Sequence, residues 1–200
     1  MKGNNGLFNA EIVAGSLLEK ESKIIARLML EKIDDETWHQ RLFLDNLLQK
    51  RSQPTIRRQS RLIRNRLETL YPQAWKIITE GSSEAVTQML LAGAIKHSRL
   101  LGDFILKVVK EHIRLFQKQL TPRDWIKFLE ECDPIDSQVS HWSESTKRKL
   151  GEVTFRILAE AKIIENTRNW KILPFFLNPE VHNLLRKKEE TYLLKCLELQ

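Results

Sequence analysis

The stretch Lys50–Arg66, KRSQPTIRRQSRLIRNR, carries seven basic residues (Lys50, Arg51, Arg57, Arg58, Arg61, Arg64 and Arg66) and no acid. The nearest carboxylates in sequence are Asp45 before it and Glu68 after it. The 200-residue chain has a formal charge of +7, so everything outside this stretch sums to zero and the basicity is a local property. Six of the seven are Arg, whose planar fork suits phosphate and guanine edges better than the point charge of Lys. Ser52 stands in an N-cap position, with Pro54 in the first turn, where its missing N–H costs nothing. At ~100° per residue, Ile56, Ile63, Leu67 and Leu70 share one stripe, with Leu62 at its edge. Arg57, Arg61 and Arg64 lie on the opposite side, flanked by Arg58 and Asn65. The pattern predicts a helix that docks one side on a core and presents guanidinium groups on the other. Charge runs are commonly solvated faces paired to nearby acids, but an acid-free run of Arg favours a polyanion as partner.

Upstream, residues 1 to about 9 read as frayed. A helix follows with apolar positions Leu17, Ile24, Ile25, Leu28 and Met29, started by a capping-box pattern at Ser16 and Glu19. Asp34 or Asp35 opens a second helix through Trp38, Leu42, Phe43, Leu47 and Leu48. With the Arg-rich helix third, this half has the organisation of a helix-turn-helix unit.

Downstream, Tyr71-Pro72 breaks the Arg helix, and Gln73–Thr79 forms a short helix ending at Gly81. Ser82 or Ser83 opens the longest helical stretch, reaching about Gln119 and apolar almost all round in EAVTQMLLAGAI. Gly93 and Gly102 within it permit close neighbours or a bend, and Arg99 and Asp103 are spaced to pair. Lys96, His97, Arg99 and Asp103 invite an acid–base reading, but no nucleophile accompanies them, and structural roles are favoured.

Thr121-Pro122-Arg123-Asp124 starts a helix that stops before Pro134. Ser143 caps another, with Lys147, Arg148 and Lys149 in its first turns and Leu150, Val153, Ile157 and Leu158 among its buried positions. KIIEN and WKILPFF then predict a short β-hairpin near 163–176 around Asn166–Asn169, with Pro174 confining the second strand to an edge. A last helix spans Glu180–Leu199. Helix, short segment, longer helix and hairpin is the order of a winged helix. In that reading Lys147–Lys149 begin the recognition helix and Arg168, with Lys171, belongs to the wing.

The expectation is therefore a mainly α protein, a helical bundle in two packed halves. Residues 1–118 form a helix-turn-helix-like N-terminal domain, and 119–200 a winged-helix-like C-terminal domain with one short β-hairpin. Two Cys far apart and five His offer no metal-ligand spacing. The N-terminus lacks the apolar core of a signal peptide, and no apolar run approaches the roughly 20 residues of a membrane span. A cytoplasmic protein without metal, cofactor or small-molecule substrate is expected. Phosphate-binding loop, zinc-helix, nucleophile-elbow and dinucleotide motifs are missing, which argues against an enzyme. The candidate DNA contacts are Lys50, Arg51, Arg57, Arg58, Arg61 and Arg64, with Lys147, Arg148, Lys149 and Arg168.

The strings AGSLLEKESKIIARLML, DNLLQKRSQPTIRRQSRLIRNRLE, LLAGAIKHSRLLGDF, LTPRDWIKFLEE and SESTKRKLGEVTFRILAEA together resemble the BrxA family of bacteriophage-exclusion (BREX) defence systems. The resemblance implies a small, mostly helical, non-enzymatic protein that binds double-stranded DNA and acts with other BREX proteins. It also implies a likeness to NusB-like helical proteins, which keeps RNA as an alternative ligand. A protein adaptor or scaffold of the defence complex is the other alternative. No contact motif comes with the resemblance, so the Arg and Lys choices rest on charge and helical position.

Overall fold

The computed structural model describes residues 6–199 and is mainly helical, as expected. The helices are α1 (Glu19–Glu31), α2 (Asp35–His39), α3 (Gln53–Glu68), α4 (Pro72–Glu80), α5 (Ser83–His97) and α6 (Arg99–Phe104). They continue as α7 (Lys110–Arg114), α8 (Pro122–Cys132), α9 (Glu144–Glu160), α10 (Pro179–Lys187) and α11 (Thr191–Leu197). A 3-10 turn covers Glu11–Ala14, and π-helical turns extend α2 over Gln40–Leu44 and join α6 to α7 over Ile105–Val109. Among the described residues no helix is long and apolar enough to cross a membrane.

The molecule is built around α5, where every residue from Ala85 to Ile95 except Thr87 is buried. A helix apolar on all sides must be covered on all sides, and α1, α3, α4, α10 and α11 all pack on it. The α3 stripe lands where the pattern puts it: Ile56, Leu62, Ile63, Leu67 and Leu70 are all buried. One hydrophobic cluster runs from Phe8 to Leu199.

Local signals succeed where the cap completes a hydrogen-bond set. At α8 the Thr121 and Asp124 side chains form a reciprocal capping box, with the Thr121 N–H donating to Asp124 Oδ2 at 2.6 Å. Ser82 and Ser143 accept from the N–H groups of Ala85 and Thr146 at the starts of α5 and α9.

Five expectations are corrected. The Ser16–Glu19 capping box does not form: α1 starts at Glu19 after a left-handed Leu18, and the Ser16 hydroxyl donates instead to Glu160 at 2.7 Å. The single long helix is broken at Ser98, whose backbone is extended and whose hydroxyl accepts from Leu101 N–H to cap α6. The last helix is split between α10 and α11 by a left-handed Glu189. The frayed start lies outside the described residues for 1–5, but Phe8 is buried and its N–H donates to Asp136 Oδ2 at 2.9 Å.

The fifth correction removes the hairpin, and with it the winged helix. Among the described residues there are no strands, only isolated antiparallel bridges joining Ile164 to Ile172 and Gln119 to Lys171. The physical reason is at Trp170, whose left-handed backbone (φ 48°) turns the chain out of a ladder. Its indole stacks on Phe155 at 4.5 Å and donates to the Thr167 carbonyl at 2.9 Å. Pro174, without an N–H, ends pairing on the other side.

Candidate nucleic-acid interface

The start of α3 is held by the loop before it. The Asn46 side chain clasps the Lys50 backbone at both N–H and carbonyl (2.9 and 3.0 Å), and Gln53 Nε2 donates to the Phe43 carbonyl at 2.8 Å. Ser52 occupies the N-cap with an extended backbone, but its hydroxyl meets the Thr55 hydroxyl rather than a helix N–H. Pro54 has no N–H and those of Thr55 and Ile56 both donate to the Ser52 carbonyl at 3.1 Å, so the first turn of this 16-residue helix is closed largely by its own backbone.

The basic residues divide into three groups. Arg51, Arg57, Arg58 and Arg61 are exposed and make no ion pair among the described residues. Arg57, Arg58 and Arg61, with Gln53 and Pro54, line a shallow concavity of about 380 Å³. Arg57 also lies over the Phe43 ring at 5.8 Å, an arrangement that restricts a guanidinium while leaving its N–H edges free.

The second group is already neutralised. Lys50 pairs with Glu21. Burial pushes Glu21 up, but hydrogen bonding and the charge of Lys50 bring it below the usual carboxylate range. Arg64 pairs with Glu68 at 2.8 Å and lies over the Trp38 ring at 4.7 Å. The acid-free character of the sequence segment is therefore only partly kept in space.

Arg66 forms the third group alone. It is 5% exposed and donates to the carbonyls of Ser16 and Gly15. Burial pulls its pKa down to about 10, opposed by the charge of Glu160. Glu160 in turn accepts from the Ser16 hydroxyl and from Leu17 N–H at 2.8 Å. Arg66 fastens the segment before α1 to α3 and is structural. The sequence held a signal for this, because on a helical projection Arg66 falls between Leu62 and Leu70, inside the apolar arc.

The C-terminal candidates share α9 and the turn that follows it. Lys147 pairs with Glu144 at 3.0 Å and Lys149 with Glu152 at 3.1 Å. Arg148 and Arg168 are exposed and without an ion pair among the described residues.

The residues Lys96 to Asp103, which invite an acid–base reading, do not converge. Lys96 pairs with Glu190, the His97 ring approaches Glu11 at 2.9 Å, and Ser98 caps α6. Arg99 pairs with Asp103 at 2.8 Å as expected, and Asp103 also accepts from Tyr192 at 2.7 Å.

This helical fold with a cationic α3 matches one family over most of its length. The profile of the BrxA family matches residues 6–189, and the chain belongs to that family. It is 38% identical to the BREX protein BrxA of Paramagnetospirillum magneticum over 192 residues, 96% of each chain. It is 30% identical to the BREX protein BrxA of Escherichia coli O9:H4 over 195 residues, 98% of this chain and 92% of that one. A crystal structure of an uncharacterized protein from Magnetospirillum magneticum superposes with a TM-score of 0.88 at 37% identity, covering 96% of this chain and 99% of the other.

Proposed function

We propose that this chain is a non-catalytic, double-stranded DNA-binding component of a BREX phage-defence system, working in the cytoplasm beside other proteins of that system. Family membership supports the defence role. The observation that carries DNA binding is the uncompensated group Arg51, Arg57, Arg58 and Arg61 around the start of α3. In this reading residues 1–118 are the DNA-binding unit, with α2 and α3 as a helix-turn-helix-like pair. Residues 119–200 are a second unit that extends the footprint, chiefly through Arg148 and Arg168. Lys50, Arg64, Lys147 and Lys149 contribute less, because a phosphate must first displace their carboxylate partners.

The test is a titration against duplex DNA, single-stranded DNA and RNA across a range of salt. Each duplex phosphate contact contributes a slope of about 0.9 in log affinity against log salt. Replacing Arg57, Arg58 and Arg61 by Ala should flatten that slope by about 2.7 if each makes one such contact. An unchanged slope and affinity in a folded triple variant overturns the DNA reading in favour of an adaptor. Tighter binding to RNA than to duplex overturns the choice of ligand.

A further inference from the structure

A groove of about 1130 Å³ runs between α8, α9 and the turn carrying Thr167 and Trp170. Its floor is apolar: Trp125, Leu129 and Phe155 are buried there, with Trp170 stacked on Phe155. Ile126 at the lip is 56% exposed. The α8 side of the rim is acidic, because Glu130 and Asp133 have no ion-pair partner among the described residues. On the α9 side Glu144 and Glu152 are matched by Lys147 and Lys149, while Arg148 and Arg156 are exposed without an ion pair among the described residues, so that side is cationic.

Beside this groove the chain displays an exposed apolar projection. After α7, Leu115 is 54% and Phe116 90% exposed. The turn that projects them is built, not frayed: Phe116 N–H donates to Ile113 O at 3.0 Å and Gln117 N–H to His112 O at 2.8 Å. Phe116 has φ 56°, a left-handed backbone that is costly for a bulky residue and marks a constrained turn. Lys118, next along, is exposed and unpaired among the described residues.

The projection and the groove are neighbours. Lys118 O accepts from Ile172 N–H at 2.9 Å, and Leu120 N–H donates to Trp170 O at 3.1 Å, so the base of the projection is bonded to the turn that bounds the groove. Phe116, being almost fully exposed, does not occupy the groove of its own chain. An apolar projection next to an apolar groove on one surface is the arrangement a two-fold axis makes self-complementary. Charge agrees when the cation beside the projection, Lys118, lies along the acidic α8 side of the groove rather than the cationic α9 side.

We infer that the groove receives the Leu115–Phe116 projection of a second copy of this chain, giving a two-fold dimer. The proposal does not use α3, but it fills the groove that Lys147 and Arg148 line, so a dimer competes with DNA contact through those two residues and leaves the α3 contacts free. Sedimentation equilibrium without nucleic acid tests it. The parent's mass should rise with concentration towards twice the monomer. Phe116→Asp and Ile126→Asp, both at exposed positions, should each remain monomeric where the parent is dimeric, with unchanged circular dichroism. Lys118→Glu should weaken the dimer, and combining it with Glu130→Lys and Asp133→Lys should restore it. In a mixture of Phe116→Cys and Ile126→Cys chains, mild oxidation should give a disulfide between the two variants in preference to either homodisulfide. A parent that is monomeric at every concentration overturns the inference and leaves the groove to a foreign chain. So does a dimer that survives Phe116→Asp.

Discussion

Asp103 joins α6 to α11, and removing its carboxylate should cost stability and spare the proposed DNA binding. Its side chain is 4% exposed and accepts from Tyr192 Oη at 2.7 Å and Arg99 Nε at 2.8 Å, with Lys107 Nζ at 3.8 Å. The Tyr192 pKa is raised by burial first and then by the hydrogen bond to Asp103. Gly102 allows this approach, because a Cβ there would sit 2.4 Å from the Tyr192 oxygen. In Asp103→Ala, Arg99 is half in water and stacked over the Tyr192 ring at 4.2 Å, so its loss is small. The larger loss is the charge-assisted bond to Tyr192, whose hydroxyl is then stranded. Together these cost about 3 kcal/mol, or a fall of roughly 6–12 °C in melting temperature for a chain of this size. Tyr192→Phe should cost about 1.5 kcal/mol, and the double variant little more than Asp103→Ala alone. Urea unfolding of the four proteins gives the coupling, expected at about 1–2 kcal/mol. Strict additivity would show that the two groups do not communicate. Unchanged melting with loss of DNA binding would make the cluster functional and refute the reasoning.

Arg66→Met should lower stability by about 3 kcal/mol, because it strands the Gly15 and Ser16 carbonyls and leaves Glu160 without its nearby cation; a melt equal to the parent's would show that Arg66 is dispensable to the core. Asp124→Ala breaks the α8 capping box and should cost about 1 kcal/mol by urea midpoint, with no effect if the cap is idle. Burial and then the charge of Arg66 hold His97 below its ordinary pKa of 6.5, against the opposing pull of Glu11. The unfolded chain then binds the proton more readily, so the His97 contribution is complete above about pH 6.5 and is lost on acidification through that range. His97→Gln should flatten the stability loss between about pH 7 and 5; an unchanged slope would assign the effect elsewhere.

What could be read from residues alone was whatever rests on short-range chemistry. Helix periodicity located α3 and its buried stripe, and the burial of α5 followed from apolar residues on every side of it. Thr121-Pro122 and Ser143 carry their own caps, so α8 and α9 began where expected. The local excess of positive charge was also visible, as was the i,i+4 pair of Arg99 and Asp103.

Partners distant in sequence were decided only by the fold. Ser16 looked like a helix cap, whose oxygen accepts from a backbone N–H, yet a left-handed Leu18 separates it from α1 and its hydroxyl donates to Glu160, brought up from α9. Ser98 stops a helix that periodicity would continue, because its hydroxyl can restart the next one. The predicted strands failed because a stacking partner, Phe155, and a left-handed Trp170 outweigh β propensity, which is weak without a ladder to extend. The same long-range logic sorted seven basic residues that are alike in sequence. Glu21 and Glu68 neutralise Lys50 and Arg64, and the backbone before α1 takes Arg66 into the interior. Arg51, Arg57, Arg58 and Arg61 remain uncompensated, because the charge of a side chain is fixed by its chemistry and its neutralisation by which distant groups the fold sets beside it.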